Sequence, residues 1–157
     1  MNLNALGDAV QSSPFGVWAG SDAYPIANLI HILGLVMLVG GIGILDLRLA
    51  GLFRRIPTEP LASALTPIAI AGLLLMIPSG TTMFAADASA LVNSTTFRWK
   101  LFLIALALTN AIAFRLLWQR QIAQWDADPP LWGRVMAAVS VLLWLAVASL
   151  GRWIAYS

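Results

Sequence analysis

Charge is scarce in this sequence. Only 9 basic and 7 acidic residues occur among 157, so 10% of the chain is charged, against about 25% in soluble globular domains. There is also no cysteine and only one histidine. The absence of cysteine excludes disulfide scaffolds, iron–sulfur clusters, thiol catalysis and cysteine-based zinc sites. The few scattered basic residues form no stripe that could follow a phosphate backbone, so no nucleic-acid partner is expected.

Long apolar runs are what the sequence has instead. Hydrophobic residues make up 60% of the chain, and its mean hydropathy is +0.84. A helix that crosses a bilayer core of roughly 30 Å needs about 20 mostly apolar residues. Four stretches reach that length, at about residues 25–46, 61–84, 99–118 and 132–155. Because the runs are continuous rather than alternating, they favour helices over barrel strands. We therefore expect an all-α integral membrane four-helix bundle, with residues 1–157 forming a single transmembrane domain.

The basic residues predict how this bundle is oriented. The side that holds the first and third connections has six of them, at Arg48, Arg54, Arg55, Arg115, Arg120 and Arg134, and the side with both termini has three. By the positive-inside rule, the N- and C-termini are expected on the non-cytoplasmic side of a bacterial inner (cytoplasmic) membrane, in a multi-pass arrangement. Leu3, Leu6 and Val10 recur at helical spacing, which predicts a short interfacial helix at the N-terminus.

Tryptophan and a few polar residues have expected places in the bundle. Five tryptophans fall near the ends of predicted spans, where an aromatic belt forms: Trp99 and Trp153 at one interface, and Trp118, Trp125 and Trp132 at the other. Trp144 lies in mid-helix, so its indole N–H is expected to find a partner within the bundle. We expect Asn110 to hydrogen-bond across helices. We also expect Asp46 at the end of the first span to pair with Arg115 of the third.

His31 is the candidate functional residue, because an ionisable group inside a span indicates a functional site by default. Tyr24, Asn28 and His31 are spaced by four and three residues, so they share one face of the first helix. Neutral imidazole is the commonest metal ligand, and haem b in membrane four-helix bundles is held by histidines that face the interior. We therefore treat His31 as a candidate haem or metal ligand, with Asn28 and Tyr24 beside it.

A second ligand must come from another residue type or another chain, since the sequence has one histidine. Met76 and Met83 of the second span are candidates, and a homodimer could share one cofactor between two His31 side chains. Pro78, with Ser79 and Gly80 beside it, lies at about the depth of His31, so we expect a pocket between the first two spans. Two alternatives for His31 are contact with a quinone and a structural hydrogen bond to a facing carbonyl or hydroxyl group.

Small residues on the first span indicate a second functional class. Gly34, Gly40 and Gly41 would let a second helix approach closely. This face favours an accessory subunit that packs within a larger electron-transfer or energy-converting membrane complex, or against a second copy of itself, with bound lipids around it. An independent enzyme is not expected and no catalytic residue is assigned, because no carboxylate lies inside a predicted span and no nucleophile–base pair is visible.

Several motifs resemble a known family. The stretch H-x-x-G-x-x-x-L-V-G-G-x-x-x-L-D-L-R-L-x-G, from His31 to Gly51, is similar to the first span of a family of uncharacterised small bacterial four-helix inner-membrane proteins. The resemblance continues through P-x-x-x-x-G (Pro67 to Gly72) and F-R-x-K-L (Phe97 to Leu101). It implies a domain of unknown function, with a looser, fold-level similarity to membrane bundles linked to haem b or copper handling.

Overall fold

The computed structural model describes residues 2–154, which are helical almost throughout. The elements are α1 Leu3–Gln11, α2 Pro14–Ala19, α3 Ala23–Ala50, α4 Thr58–Ala86, α5 Ala88–Asn93, α6 Thr95–Trp118, a 3-10 segment Gln119–Gln124 and α7 Leu131–Trp153. Helices α3, α4, α6 and α7 are long and apolar enough to span a membrane. No strand occurs in this part of the chain, so the all-α prediction is confirmed. The first three predicted spans each fall inside one helix, and the fourth begins inside α7. Its predicted end at residue 155 lies outside the described residues.

The four long helices form an antiparallel bundle with a defined order. Helix α3 packs against both α4 and α7, and α7 packs against α6. We call the end where α3 begins the terminal end, because α7 also finishes there. The other end, which holds the connections from α3 to α4 and from α6 to α7, is the opposite end. Helix α1 packs on α5, and α2 packs on α4, so the three short helices lie at the terminal end. The predicted N-terminal helix is therefore present as α1.

Glycine sets the distance between α3 and α4. A Cβ atom on Gly34 would lie 2.7 Å from the Gly72 carbonyl oxygen, and one on Gly41 would lie 3.1 Å from the Leu65 carbonyl oxygen. The predicted small-residue face is thus divided. Gly34 and Gly41 pack against α4 of the same chain, whereas no atom of the described residues lies within 4 Å of a Cβ placed on Gly40 or Gly43.

The expected pair between Asp46 and Arg115 is wrong. Asp46 is buried and interacts with Ser140 of α7, whereas Arg115 is exposed on α6. The reason is the helix order, because α7 lies between α3 and α6. The expectation that no acidic group lies inside a span is also wrong, because α3 continues to Ala50 and therefore includes Asp46.

Asn110, Trp125 and Trp144 are three further polar side chains of the bundle. Asn110 Nδ2 donates to the Met136 carbonyl oxygen of α7 at 3.1 Å, which confirms the interhelical bond. Trp125 is not a belt residue: it is 1% exposed, and its Nε1 donates to the Leu49 carbonyl oxygen. Trp144 is buried in the central core with Leu38, but its Nε1 has no hydrogen-bond partner among residues 2–154. The partner predicted for Trp144 is therefore not found there.

Candidate functional site

His31 lies on α3 about two turns from the terminal end, half-buried against α4. Its Nδ1 is 3.1 Å from Ser79 Oγ. The ring packs over Gly80, where a Cβ atom would be only 3.1 Å from His31 Cε1. A side chain at position 80 would therefore push the imidazole aside. The predicted contact between His31 and the segment around Ser79 is therefore present, and the pocket between the first two spans stays a prediction.

Hydrogen bonding on α4 favours one tautomer of the His31 ring. The Ser79 hydroxyl donates to the Leu75 carbonyl oxygen at 2.6 Å. Because a hydroxyl has one proton to donate, Ser79 Oγ accepts from His31, so Nδ1 carries the hydrogen in the neutral ring. The Met76 carbonyl also interacts with the imidazole from the same helix.

Lys100, near the start of α6, lies toward the same end of the bundle as His31. Its Nζ lies 3.4 Å from a Cβ atom placed on Gly151 of α7, and its charge interacts with His31. The side chain is partly buried, whereas that of Arg98, two residues earlier, is exposed. No carboxylate pairs with Lys100 among the described residues. In the sequence both cations stand at the start of the third span, and only the rotation of α6 separates their surroundings.

The other predicted site residues lie in different surroundings. Tyr24 is half-buried, and its hydroxyl interacts with Asp87. Asn28 is exposed. Met76 directs its side chain toward Gly34 and packs on the central core, so it contributes only its carbonyl to His31. Met83 is half-buried on α4. The structure thus joins His31 to Ser79, and the role of the predicted residues in binding a cofactor stays a prediction.

No ready-made metal cluster accompanies His31. Within the described range, no group of three or more His, Cys, Asp or Glu side chains could hold a metal ion. Ligation through His31 would therefore need donors of another type or a second chain.

A second polar cluster, at the opposite end, has a structural role. Asp126 Oδ1 accepts from Arg48 Nη2 at 2.5 Å and from the Thr58 hydroxyl, and Oδ2 accepts from the Thr58 backbone N–H at 3.1 Å. These interactions hold the pKa of Asp126 below its usual range, and the hydrogen bond from the Thr58 hydroxyl makes the largest contribution. Arg48 also donates from Nε to the Ile56 carbonyl oxygen. We call Arg48, Thr58 and Asp126 the polar lock, because they join the end of α3, the start of α4 and the segment before α7.

Comparison with known proteins assigns a family but no activity. No curated protein and no solved structure matches the chain. The model of a family of unknown function, DUF6644, matches residues 16–157. This match confirms the resemblance to an uncharacterised family that the motifs indicated. The chain belongs to the DUF6644 family, whose function is unknown.

Proposed function

We propose that this chain is an accessory subunit of a larger complex in the bacterial inner membrane, with both termini on the non-cytoplasmic side. The complex is of the electron-transfer or energy-converting kind, and the chain contacts it through the outer face of α3. The observation that carries the proposal is the division of the α3 glycines into two sets.

Gly40 and Gly43 have no packing role within residues 2–154. Gly34 and Gly41 make room for α4, but Gly40 and Gly43 have nothing within 4 Å of an added Cβ. Glycine within a helix is less stable than alanine by roughly 0.5–1 kcal/mol, and no contact within the chain offsets that cost here. Small residues on the outside of a membrane helix allow a second helix to approach closely. A partner transmembrane helix seated over Gly40 and Gly43 gives these two residues a function.

Co-purification tests the proposal. The tagged protein is extracted in mild detergent, and its size is measured by native electrophoresis. We expect the wild-type chain in an assembly larger than itself, and Gly40→Leu released from it, because the new side chain blocks the approach of the partner helix. Ala138→Leu is the control, since Ala138 is exposed on α7 and the substitution enlarges the surface of a different helix. A wild-type monomer, or equal assembly of Gly40→Leu and wild type, would contradict the proposal.

The orientation is tested separately. A reporter that is active only outside the cytoplasm, fused to the C-terminus, is expected to be active. Activity of a C-terminal reporter that works only in the cytoplasm would overturn the proposed topology.

A second candidate is a redox membrane protein that binds haem b or a metal through His31, alone or as a homodimer. The bond from Nδ1 to Ser79 supports it, because metal-bound histidines are commonly oriented through their other ring nitrogen. The visible spectrum of the purified protein, oxidised and reduced, tests this candidate. A Soret band should vanish in His31→Ala and persist in Asn28→Ala, whose side chain is exposed. A colourless wild-type protein would reject the haem assignment.

A further inference from the structure

Two arginines converge on the C-terminal end of α3. Arg54 Nε donates to the Gly51 carbonyl oxygen at 3.1 Å. Arg134, near the start of α7, donates from Nε to the Ala50 carbonyl oxygen at 3.1 Å. A Cβ atom on Gly51 would lie 2.7 Å from Arg134 Nη2, so this guanidinium lies directly against the Gly51 backbone. These contacts place the two guanidinium groups within about 10 Å of each other. We call Arg54 and Arg134 the arginine pair.

The charge of the arginine pair is not compensated within residues 2–154. Each guanidinium uses Nε for its bond to the backbone, and its Nη1 and Nη2 groups make no hydrogen bond to the described residues. No carboxylate of these residues lies within ion-pair distance of either arginine, and Asp126, at the same end, is engaged by Arg48 and Thr58. Two cations held this close repel each other, so an anion between them is stabilised by both.

The surface around the arginine pair is positive and lies at the edge of the membrane. Helix α3 has 28 residues, so it is about 42 Å long, close to the thickness of about 40–45 Å that a bilayer has with its headgroups. The C-terminal end of α3 therefore lies at the level of the headgroups. Outside the polar lock and the buried Asp46, the opposite end has five arginines and two acidic residues: Arg54, Arg55, Arg115, Arg120, Arg134, Glu59 and Asp128.

Exposed apolar side chains flank the arginine pair. Leu52 and Phe53 precede Arg54 and are 49% and 55% exposed. Trp132, two residues before Arg134, is 72% exposed. Phe53 also has a left-handed backbone, with φ 52°, which is strained for a bulky residue. Packing within the chain offsets little of this strain, because more than half of the Phe53 side chain is exposed. Side chains of this kind enter the boundary between headgroups and acyl chains.

These groups specify the ligand chemistry. Guanidinium groups recognise phosphate oxygens through their fork of N–H donors, and the flanking apolar side chains suit a ligand with acyl chains. We propose that the arginine pair binds the phosphate of an anionic phospholipid, whose acyl chains pack beside Leu52 and Phe53. The bound lipid links the connection after α3 to the start of α7. The site needs no partner subunit, so its test is independent of the proposed function.

Lipid binding to the full chain tests the proposal. The protein is purified in a nonionic detergent, and native mass spectrometry measures binding as dioleoylphosphatidylglycerol or dioleoylphosphatidylcholine is added. We expect the first phosphatidylglycerol to bind about tenfold or more tightly than phosphatidylcholine, because choline neutralises the phosphate charge that the two arginines attract. Millimolar inorganic phosphate should not displace the lipid, since it has no acyl chains.

Arginine variants make the test specific. Arg54→Gln and Arg134→Gln should each weaken phosphatidylglycerol binding about tenfold, because a charged hydrogen bond is lost. Arg120→Gln is the matched control: it removes an exposed positive charge at the same end, from the 3-10 segment that packs on α4 and α6, and should leave the affinity unchanged. Because Arg54 is exposed, Arg54→Gln keeps the test decisive if Arg134→Gln loosens the fold.

Phe53→Gly separates lipid binding from folding. Glycine adopts positive φ without strain, so this variant should unfold at an SDS concentration equal to or higher than that of the wild type. Its affinity for phosphatidylglycerol should nevertheless fall, because an apolar contact with the acyl chains is lost. A less stable Phe53→Gly with unchanged affinity would show that Phe53 packs within the chain and would contradict its contact with lipid.

Three further results would overturn the proposal. Equal binding of the two lipids would show that the net charge of the headgroup is not recognised. A loss of affinity in Arg120→Gln as large as that in Arg54→Gln would indicate general surface charge. Displacement of the lipid by inorganic phosphate would show that the site does not require acyl chains.

Discussion

Substituting Gly72 by alanine tests how closely α3 and α4 must approach. A Cβ atom on Gly72 would lie 2.6 Å from the Gly34 carbonyl oxygen and 2.6 Å from the Leu38 backbone nitrogen. Ordinary contact begins at 3.4 Å, so the two helices must separate by about 0.8 Å (3.4 minus 2.6) at this point. Both obstructing atoms belong to the backbone, and no side chain can rotate away to relieve the clash.

The free energy of this clash can be isolated with a matched control. Adding a methylene to a packed core costs about 1–3 kcal/mol, whereas replacing glycine by alanine in a helix returns roughly 0.5–1 kcal/mol. Gly40→Ala gains only the favourable helix-propensity contribution, since no atom of the described residues lies within 4 Å of its added Cβ. The difference in unfolding free energy between Gly72→Ala and Gly40→Ala should therefore be about 1–3 kcal/mol, because the helix-propensity gain cancels.

Unfolding by SDS in mixed micelles, followed by tryptophan fluorescence, measures this difference. Trp144 is suited to report it, because it is buried in the core cluster that contains Leu38 and Ala69. We expect Gly72→Ala to unfold at lower SDS than wild type, and Gly40→Ala at equal or higher SDS. Equal stability of the two variants would refute the conclusion that Gly72 sets the helix separation.

Three further predictions concern the polar groups. Hydrogen bonds lower the pKa of Asp126 in the folded protein, so the stability that its carboxylate adds is present above the unfolded pKa of about 3.9 and is lost as the pH falls through the lower folded pKa. The unfolding free energy of the wild type should therefore fall in this acid range, and Asp126→Asn should show no such step. Asp46→Asn removes a buried carboxylate whose Oδ2 lacks a partner among the described residues, so its melting temperature should rise, and a fall would contradict this reasoning. Asn110→Ala should cost about 0.6–1.7 kcal/mol in SDS unfolding, since it loses the bond to Met136, and an unchanged midpoint would mean that the bond contributes nothing.

The four long helices were predictable because their signal is length and apolarity. A run of about 20 apolar residues needs no information about neighbours to be recognised as a span. The helix ends were less accessible: α3 and α4 extend beyond the predicted spans, and α3 carries Asp46 and Arg48 inside its last turns. Asp46 interacts with Ser140 and Arg48 pairs with Asp126. These tertiary contacts make both charges tolerable there, and no local sequence pattern predicts them.

Only the part of the candidate site that α4 contributes was predictable from the sequence. The sequence predicted that the segment around Ser79 lies at the same depth as His31, and in the structure the two side chains are hydrogen-bonded. Lys100 was missed because α6 is apolar on nearly all faces, so its sequence gives little indication of which face turns inward. The same limitation explains the error at Asp46, where the order of α3, α7 and α6 decides which helices can touch. Rotation and order depend on how surfaces of different helices fit together.

The polar lock has a consequence for how the chain is assembled during synthesis. Arg48 and Asp126 are 78 residues apart, so at 5–20 residues per second the counter-ion is made about 4–16 s after the arginine. Helices α3 and α4 can meet through Gly34 and Gly72 well before that. During the interval Arg48 must stay hydrated at the membrane surface, because a buried and unpaired guanidinium is too costly. The first hairpin can therefore pack at the terminal end early, but its opposite end closes only after a residue beyond the third span has been translated.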